Sequence, residues 1–498
     1  MNLFSPPGSI PTNQLNGLGI YTGTNFGFTQ LASTQANVSA ELFKLAADRP
    51  IGLAAGYEYR TEFGGTVPDP IGAAGLSADF NSLPTRGSFH VNEGYAELDV
   101  PVLSNVPGAE DVELEAAIRV FNYNTFGSDF TYKLGGRWRP VRDLTVRGTY
   151  STGFRAPGVS DLFAGQAPSA ESAVDPCNGA SGALAIRCNS APIKGGPNPN
   201  SASAGDTSNQ INSTVGGNTL LQPEKANIAT AGLVFEPSML RGFSATLDYY
   251  NIKVTQNLGN ISTPVILNGC YNGGNNAYCA LISRGATSGI ISNVSDLENN
   301  VGSLQTSGFD FAVRYGFPTD FGRFGLVFDS NYLIYLRQGL ADGTLINTAG
   351  NYDFGSGSVV GSLTPKVKFN VGVNYALAGF SAGLRARYIG SFNECAGSDG
   401  ASDSAGLCSN RSPPLDANGD PVPGGTPYAP HQVPQYVTFD LAVSYLLKTS
   451  FGNTTISAGM RNVLDQAPPH VFNESFIFTD PGYDLVGRFV YGRVSQNF

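Results

Sequence analysis

Apolar and polar residues alternate with a period of two along much of this chain. The segment 366–375 (KVKFNVGVNY) places Val, Phe and Tyr at odd positions and Lys, Gly and Asn at even positions. Segments 112–120 (VELEAAIRV), 380–388 (FSAGLRARY) and 437–445 (VTFDLAVSY) follow the same rule. Period two places the two sets of side chains on opposite faces of a β-sheet. The pattern therefore predicts an all-β protein whose strands each have one apolar and one polar face.

About fifteen such segments can be placed, and many are ten residues or longer, against a usual strand length of about five or six. A tilted strand needs about 9–11 residues to cross the hydrocarbon layer of a membrane. Helical periodicity is nearly absent, and the nearest candidate, 34–50 (TQANVSAELFKLAADRP), also fits period two and is interpreted as a strand. The predicted strands are 34–43, 51–63, 87–101, 110–124, 129–139, 143–155, 222–235, 242–255, 303–316, 322–336, 363–376, 379–390, 434–447, 453–464 and 486–498.

The connections between these strands alternate between short and long, except for one tight link near FGSD, after Tyr123. Alternation of side chains alone fits any half-buried antiparallel sheet, including soluble ones. Short turns at one edge and long loops at the other are typical of outer-membrane barrels, which are apolar outside and polar within. We therefore expect a transmembrane antiparallel β-barrel with short periplasmic turns and long extracellular loops. The long connections lie roughly at 64–86, 156–221, 256–302, 337–362, 391–433 and 465–485.

Composition and charge exclude several classes of function. Lys and Arg number 29 against 39 Asp and Glu, so the net charge of −10 offers no basic surface for nucleic acid. No run of eighteen apolar residues is present, which excludes a helical membrane span. The three histidines, His90, His431 and His470, stand alone near strand entries or in loops, and no phosphate-binding GxxxxGK[ST] motif occurs. We therefore predict no catalytic residues, metal site or cofactor, and no enzymatic activity.

Six cysteines fall as close pairs, each pair inside one long loop. Local pairing indicates disulfides formed in an oxidising compartment, although six cysteines allow fifteen connectivities in principle. The competing interpretation, a metal site, requires CxxC or clustered His, and neither is present. The topology makes these loops extracellular, so two independent features agree on which edge faces outward. The candidate disulfide residues are Cys177 with Cys188, Cys270 with Cys279, and Cys395 with Cys408.

Several charged side chains fall on the polar faces of predicted strands. A wide aqueous lumen tolerates such charges, and they could contact a ligand or a domain inside the barrel. They could equally pair with one another across neighbouring strands, which is the simpler interpretation for any one of them. The lumen-facing candidates are Glu113, Glu115, Arg119, Arg147, Arg385, Arg387 and Asp440.

Five motifs in order resemble those of TonB-dependent outer-membrane receptors. They are LTVRGTYSTGFRAPGVSDLF (144–163), NTLLQPEKANIATAGLVF (218–235), GFDFAVRY (308–315), GMRNVLDQAPP (459–469) and YDLVGRFVYGRVSQNF (483–498). The resemblance extends from about residue 34 to the end of the chain. The positions that carry it are Phe154, Arg155, Ala156, Pro157, Pro223, Glu224, Asn462, Asp465, Pro468, Pro469, Gly487, Arg488 and Phe498.

The resemblance implies a barrel of about twenty-two strands, a globular plug inside it, and a short segment that binds TonB. The chain begins MNLFSPPGSIPTNQ, without the charged and apolar regions of a signal peptide. We expect residues 1–33 to be part of an extracellular loop of a truncated barrel and residues 34–498 to form the barrel, with the plug domain absent. On this expectation the chain is a C-terminal fragment of a receptor, or a receptor with a misplaced start, and plug-encoding sequence should lie upstream in frame. The alternative is a self-sufficient short barrel.

The function implied by the resemblance is TonB-energised uptake of a scarce large ligand, such as a ferric siderophore, a cobalamin-like compound or an oligosaccharide. The implied partners are the TonB–ExbB–ExbD complex acting through a plug, the lipid of the Gram-negative outer membrane, and the barrel-assembly machinery, which would engage the C-terminal strand. The C-terminus would be periplasmic. The alternative is a passive porin-like channel, and a secreted all-β glycan-binding or glycan-cleaving protein is a third class. Loop aromatics, with Tyr271, Tyr278, Tyr352 and Phe354 as examples, could stack on a ligand.

Overall fold

Fifteen long strands form one antiparallel sheet in the computed structural model, which describes residues 22–77, 81–193, 210–285, 288–339, 345–352, 364–394, 431–470 and 482–497. Each strand pairs with its neighbours in sequence. All fifteen predicted strands are confirmed. They are β1 (Phe26–Lys44), β2 (Pro50–Val67), β3 (Thr85–Val106), β4 (Ala109–Tyr123), β5 (Gly127–Val141), β6 (Leu144–Arg155), β7 (Glu224–Phe235), β8 (Phe243–Thr255), β9 (Ser303–Thr319), β10 (Gly322–Gly339), β11 (Val367–Leu377), β12 (Phe380–Ile389), β13 (Tyr436–Thr449), β14 (Gly452–Arg461) and β15 (Phe489–Asn497).

The first strand starts earlier than its alternation predicts. β1 begins at Phe26 instead of residue 34, because its register with β2 continues without a break to the Phe26–Val67 pair. The predicted boundary between a loop ending at 33 and the barrel therefore falls inside β1. Among the described residues, β1 pairs only with β2 and β15 pairs only with β14.

The predicted asymmetry of the connections is confirmed. The edge of the sheet with short turns carries 45–49, 107–108, 142–143, 236–242, 320–321, 378–379 and 450–451. The opposite edge carries the long connections 68–84, 156–223, 256–302, 340–366, 390–435 and 462–488, together with the tight link at 124–126. The long-loop edge is thus the part of the molecule with enough chain to build a site.

Short elements fold within the long loops. The helices are α1 (Pro70–Ala73), α2 (Val159–Phe163), α3 (Gly182–Ser190), α4 (Thr263–Tyr271) and α5 (Asn276–Cys279). Strands Ala167–Ser172, Gln210–Gly216, Ile282–Arg284 and Ile291–Leu297 form a second sheet. The remaining loop strands are Leu258–Gly259, Asn299–Asn300, Leu345–Asn347, Asn351–Tyr352, Phe392–Glu394 and His431–Val433. No helix in the described ranges is long and apolar enough to cross a bilayer.

The apolar face of the large sheet is exposed instead of packed against a second layer. Leu134, Leu233 and Leu384 are 56%, 45% and 47% exposed. Apolar surface in water costs about 25 cal/mol per Å², so continuous rows of such side chains require an apolar environment. A lipid-facing barrel wall meets that requirement. The largest buried cluster lies instead in the loops, between residues 173 and 294.

Candidate functional site

The predicted lumen-facing residues share one face of the sheet. The register places Glu113 opposite Arg137, and Arg137 opposite Arg147. The same rows continue through Gly232 to Asp248. On the later strands, Arg385 lies directly opposite Asp440, and Arg387 belongs to the same face two residues on. The polar face is therefore continuous from the first strands to the last, opposite the exposed apolar rows.

Most of these charges pair across neighbouring strands. Arg137 Nη2 lies 2.5 Å from Glu113 Oε2, and Arg49 also contacts that oxygen. The other pairs are Lys133–Glu115 at 2.6 Å, Arg119–Glu93 at 3.6 Å and Arg387–Asp440 at 3.8 Å. Pairing across neighbouring strands, the simpler interpretation from the sequence, thus describes five of the seven candidates. A sixth, Arg147, pairs with a residue two strands away. The five are Glu113, Glu115, Arg119, Arg387 and Asp440.

Arg147 and Asp248 form a bidentate ion pair that spans an intervening strand. Arg147 Nη2 lies 2.7 Å from Asp248 Oδ2, and Arg147 Nε lies 3.0 Å from Asp248 Oδ1. Gly232 of β7 lies between them, and a Cβ atom there would come within 1.9 Å of Asp248 Oδ1. The absence of a side chain at Gly232 is what allows the two groups to meet.

The polar face is divided by charge. Acidic side chains dominate it on β1–β5, and basic side chains dominate it on β9–β15. The acidic residues on β1–β5 are Glu41, Glu58, Glu62, Glu93, Glu97, Asp99, Asp111, Glu113, Glu115 and Asp129, against Arg60, Arg119, Lys133, Arg137 and Arg139. The basic residues on β9–β15 are Arg314, Arg323, Lys368, Arg385, Arg387, Lys448, Arg461 and Arg493, against Asp310, Asp329 and Asp440.

Two of the motif positions form a clamp at the long-loop edge. Arg155, the last residue of β6, donates to both carboxylate oxygens of Glu224, the first residue of β7, at 2.8 and 3.0 Å. Glu224 also accepts a hydrogen bond of 2.8 Å from the backbone N–H of Leu258. Pro157 is buried just beyond the end of β6, and Pro223 is buried just before β7. The clamp fixes the points at which two long loops leave the sheet.

Phe154 and Ala156 are partly buried and pack against a buried, mainly aromatic cluster next to this clamp. The Phe154 ring stacks on Phe121 with centroids 3.8 Å apart. Phe121 shares the polar face with Arg119, so the ring of Phe154 lies on that face, although Phe154 stands at the same alternate positions of β6 as Leu144, Val146 and Tyr150. The first helix of the following loop, α2, packs here because Gly87 leaves room for the ring of Phe163.

The motif positions after β14 form a closing turn. Buried Asn462 has a positive φ of 47°, and its side chain both accepts from Gln466 N–H and donates to Gln466 C=O. Asp465, also at positive φ, accepts from the backbone N–H of Arg488 just before β15. Gly487 has φ 71°, while Pro468 and Pro469 are half-buried. The Asn462 backbone N–H donates to Asp440, which joins the turn to the polar face. Phe498 lies outside the described residues.

The described parts of connections 156–223 and 256–302 fold together as one unit, here called the loop module. Its sheet joins the two connections through a parallel pairing of Gln210–Gly216 with Ile291–Leu297. Disulfides Cys177–Cys188 and Cys270–Cys279 confirm two of the predicted pairs, and all four sulfurs lie in its core. Cys395 and Cys408 lie outside the described residues.

Tyr271 and Tyr278 belong to the core of the loop module and are almost fully buried. The expectation that they stack on a ligand is wrong, because their faces are covered by core residues. The side chain of Tyr352 and all of Phe354 lie outside the described part of the chain. Of the four loop aromatics, the two whose side chains the structure describes, Tyr271 and Tyr278, therefore pack in the core of the loop module.

A buried ion pair locks the loop module. Arg284 donates to both oxygens of Asp175 at 2.6 and 2.8 Å, and both side chains are almost fully buried. Arg284 also donates to the Tyr271 hydroxyl at 2.7 Å and to Gly289 C=O at 2.8 Å. Burial raises the pKa of Tyr271, so its hydroxyl stays protonated. Every polar group around Arg284 thus favours one arrangement of the two loops.

Asp296 is the unusual acid of the loop module. It is buried, and its Oδ1 atom has no hydrogen-bond partner among the described residues. Burial raises the pKa of Asp296 to about 7, and the charge of Glu171 acts in the same direction. Burial also raises the pKa of nearby Glu298, with Asp161 as its acidic neighbour.

No group of three or more His, Cys, Asp or Glu side chains within the described ranges could hold a metal ion.

The family model described as TonB dependent receptor-like, beta-barrel matches residues 3–463. The chain belongs to this family. Barrels of TonB-dependent receptors are outer-membrane proteins of Gram-negative bacteria, and they act in transport instead of catalysis. The resemblance drawn from the five motifs is thereby confirmed. No curated protein sequence matches the chain.

Solved TonB-dependent receptors share the fold. The siderophore receptor PirA from Acinetobacter baumannii is 14% identical, with a TM-score of 0.57 over 95% of this chain and 55% of that chain. A variant of the ferric enterobactin receptor PfeA from Pseudomonas aeruginosa, in complex with enterobactin, is 14% identical with a TM-score of 0.58 over the same shares. This chain therefore spans about half the length of the receptors whose fold it shares.

The structure gives the TonB-dependent receptor motifs structural roles that their sequences do not reveal. Arg155 and Glu224 form one clamp, and Asp465 and the backbone of Arg488 form another. The loop-module lock was missed altogether, because Asp175 and Arg284 are 109 residues apart and neither belongs to a motif. Only the cysteine pairs beside them marked this region as structured.

Proposed function

We propose that this protein is an outer-membrane receptor for the TonB-energised uptake of a scarce large ligand, with a ferric siderophore as the first candidate. The observation that carries the proposal is the family match over residues 3–463. The siderophore receptors named above share the fold and supply the ligand class. Cobalamin-like compounds and oligosaccharides are the other ligands to test.

The proposed orientation places the long-loop edge outside the cell and the short-turn edge, where the chain ends, in the periplasm. Disulfides form in oxidising compartments, and both described disulfides lie at the long-loop edge. The loop module would then meet the ligand first. Its ion pair and disulfides would give it a fixed shape, which reduces the entropy lost on binding.

The proposed partners are those of an energised receptor. TonB, with ExbB and ExbD, would supply the force, and outer-membrane lipid would cover the exposed apolar face. The barrel-assembly machinery would engage the C-terminal strand during insertion. The polar face would line the route of the ligand, which accounts for its continuous rows of charged side chains.

Deletion of the gene in the native host tests the proposal. We expect the deletion strain to lose uptake of at least one radiolabelled ferric siderophore under iron limitation, and plasmid-borne gene to restore it. A tonB deletion should remove the same uptake. Uptake that persists without TonB would contradict energised transport and support the passive-channel alternative. Normal iron uptake with loss of labelled cobalamin or oligosaccharide would reassign the ligand.

A further inference from the structure

A cavity of about 500 Å³ lies against the polar face of β10–β15. Its lining includes Asp329, Asn370, Arg385, Arg387, Asp440 and Arg461. Binding sites for small molecules usually measure about 300–1,000 Å³, so this one can hold a substantial part of a metal chelate. It lies in the basic half of the polar face.

The acids of this cavity are already engaged. Asp329 pairs with Arg314 at 2.5 Å. Asp440 lies 3.8 Å from Arg387 and accepts the backbone N–H of Asn462 at 3.0 Å. Each acid is thus neutralised by an arginine other than Arg385 or Arg461.

Arg385 and Arg461 are the unneutralised charges of the cavity. Neither makes an ion pair with any described residue, and both side chains are exposed to the space in front of the polar face. Arg385 lies opposite Asp440 in the register without forming an ion pair with it. Two free guanidinium groups in one cavity leave a local positive charge in a protein whose net charge is −10.

We propose that this cavity binds a multiply anionic ligand and that Arg385 and Arg461 are its specificity-determining residues. A guanidinium group presents paired N–H donors that match the oxygens of carboxylates, catecholates and phosphates. The acidic half of the polar face would repel the same ligand and confine it to this side. The inference deepens the proposed function: it selects anionic catecholate or carboxylate ferric chelates over neutral hydroxamate ones.

Equilibrium dialysis of the detergent-solubilised full chain tests the site with two radio-iron probes. One is a trianionic ferric tris-catecholate, and the other is a neutral ferric tris-hydroxamate. The test variant combines Arg385→Gln with Arg461→Gln. The control variant is Arg142→Gln, which removes an exposed short-turn arginine that pairs with Glu110.

We expect the double variant to bind the tris-catecholate at least about tenfold more weakly, because hydrogen bonds from a charged guanidinium to an anionic oxygen are among the strongest in proteins. The control should bind as the parent does, and salt should weaken parent binding more than that of the double variant. Unchanged tris-catecholate binding in the double variant, or an equal loss with the hydroxamate, would overturn the inference. The two tests can also disagree. If the parent binds the tris-catecholate through these arginines but the deletion strain takes up iron normally, the site is supported and the proposed function is refuted.

Discussion

Several of the polar contacts on the polar face of the sheet depend on the absence of a Cβ atom at a glycine. The Arg147–Asp248 pair depends on the missing side chain of Gly232, and Tyr95 similarly crosses Gly56 to donate to Asn37 at 2.9 Å. In each case a glycine in a central strand lets a long side chain reach past its nearest neighbour. Glycine weakens a strand interior, so its presence at these positions is explained by the contacts that it permits.

Replacement of Gly232 by Ala should therefore break the Arg147–Asp248 pair. The new methyl group would overlap Asp248 Oδ1, and overpacking of this kind costs about 1–3 kcal/mol. The measurement is the free energy of unfolding in phospholipid vesicles by urea titration. Gly153→Ala is the matched control, because a Cβ atom there meets only Ala226 Cβ at an ordinary 3.7 Å. Equal stability of the two variants would show that Asp248 moves aside without cost.

The loop module shows how two separate connections become one element. Its core joins residues from both loops, and the Arg284–Asp175 pair lies within it. A buried arginine without its counter-charge is strongly destabilising, whereas the loss of both charges is tolerated far better. The ion pair thus specifies which arrangement of the loops is stable.

The variant Asp175→Asn should destabilise the loop module by about 3–5 kcal/mol. We expect faster chymotrypsin cleavage within 156–223 and 256–302, where Arg284→Met removes no cleavage site, while the strands of the sheet stay resistant. The double variant Asp175→Asn, Arg284→Met serves as the internal control and should recover much of the resistance. A single variant as resistant as the parent would mean that Tyr271 and Gly289 suffice to hold Arg284.

Asp296 should make the loop module sensitive to pH. Its folded-state pKa of about 7 lies above the unfolded value of 3.8, so the folded module holds a proton that the unfolded chain releases. The contribution of Asp296 to the stability of the module is therefore fully present below about pH 4 and is lost as pH rises through 7, by up to about 1.4 kcal/mol per pH unit. Hydrogen-exchange protection factors in Gln210–Gly216 and Ile291–Leu297 measure this change.

Asp296→Asn should flatten that dependence and protect the same strands at pH 8. Asp320→Asn, in a short turn, is the control and should retain the parent slope. If the parent and Asp296→Asn show the same slope, Asp296 is ionised in the folded module throughout this range. The remaining dependence would then belong to Glu298, whose pKa burial also raises.

Alternation predicts the strands because one rule governs every residue of a two-faced sheet. The fifteen strands and the shared face of the charged candidates follow from that rule, and the two described disulfides follow from the close spacing of their cysteines within the loops. The elements α1–α5 have four to nine residues in Gly-rich and Ser-rich loops, too few to establish a helical period. Contacts such as Arg284–Asp175 and Arg147–Asp248 join residues about a hundred positions apart, so no local pattern contains them.

At the scale of the whole molecule, two faces of one sheet meet opposite environments. Rows such as Leu233, Leu247 and Phe311 lie side by side across three strands and remain substantially exposed. The polar face carries the ion pairs, the charge division and the cavity. A protein that buried these rows in a soluble core would show the reverse exposure.

Arginine substitutions on β8 test which face contacts lipid. Leu247→Arg would place a charge on the apolar face, where a membrane barrel loses about 2–4 kcal/mol near the bilayer midplane. Thr246→Arg, the adjacent residue, would place the same side chain on the polar face near Asp248 and Asp310 and should cost much less. The measurement is the folding free energy of each variant into phospholipid vesicles. A larger loss for Thr246→Arg would reverse the assignment of the two faces, because lipid would then contact the charged rows.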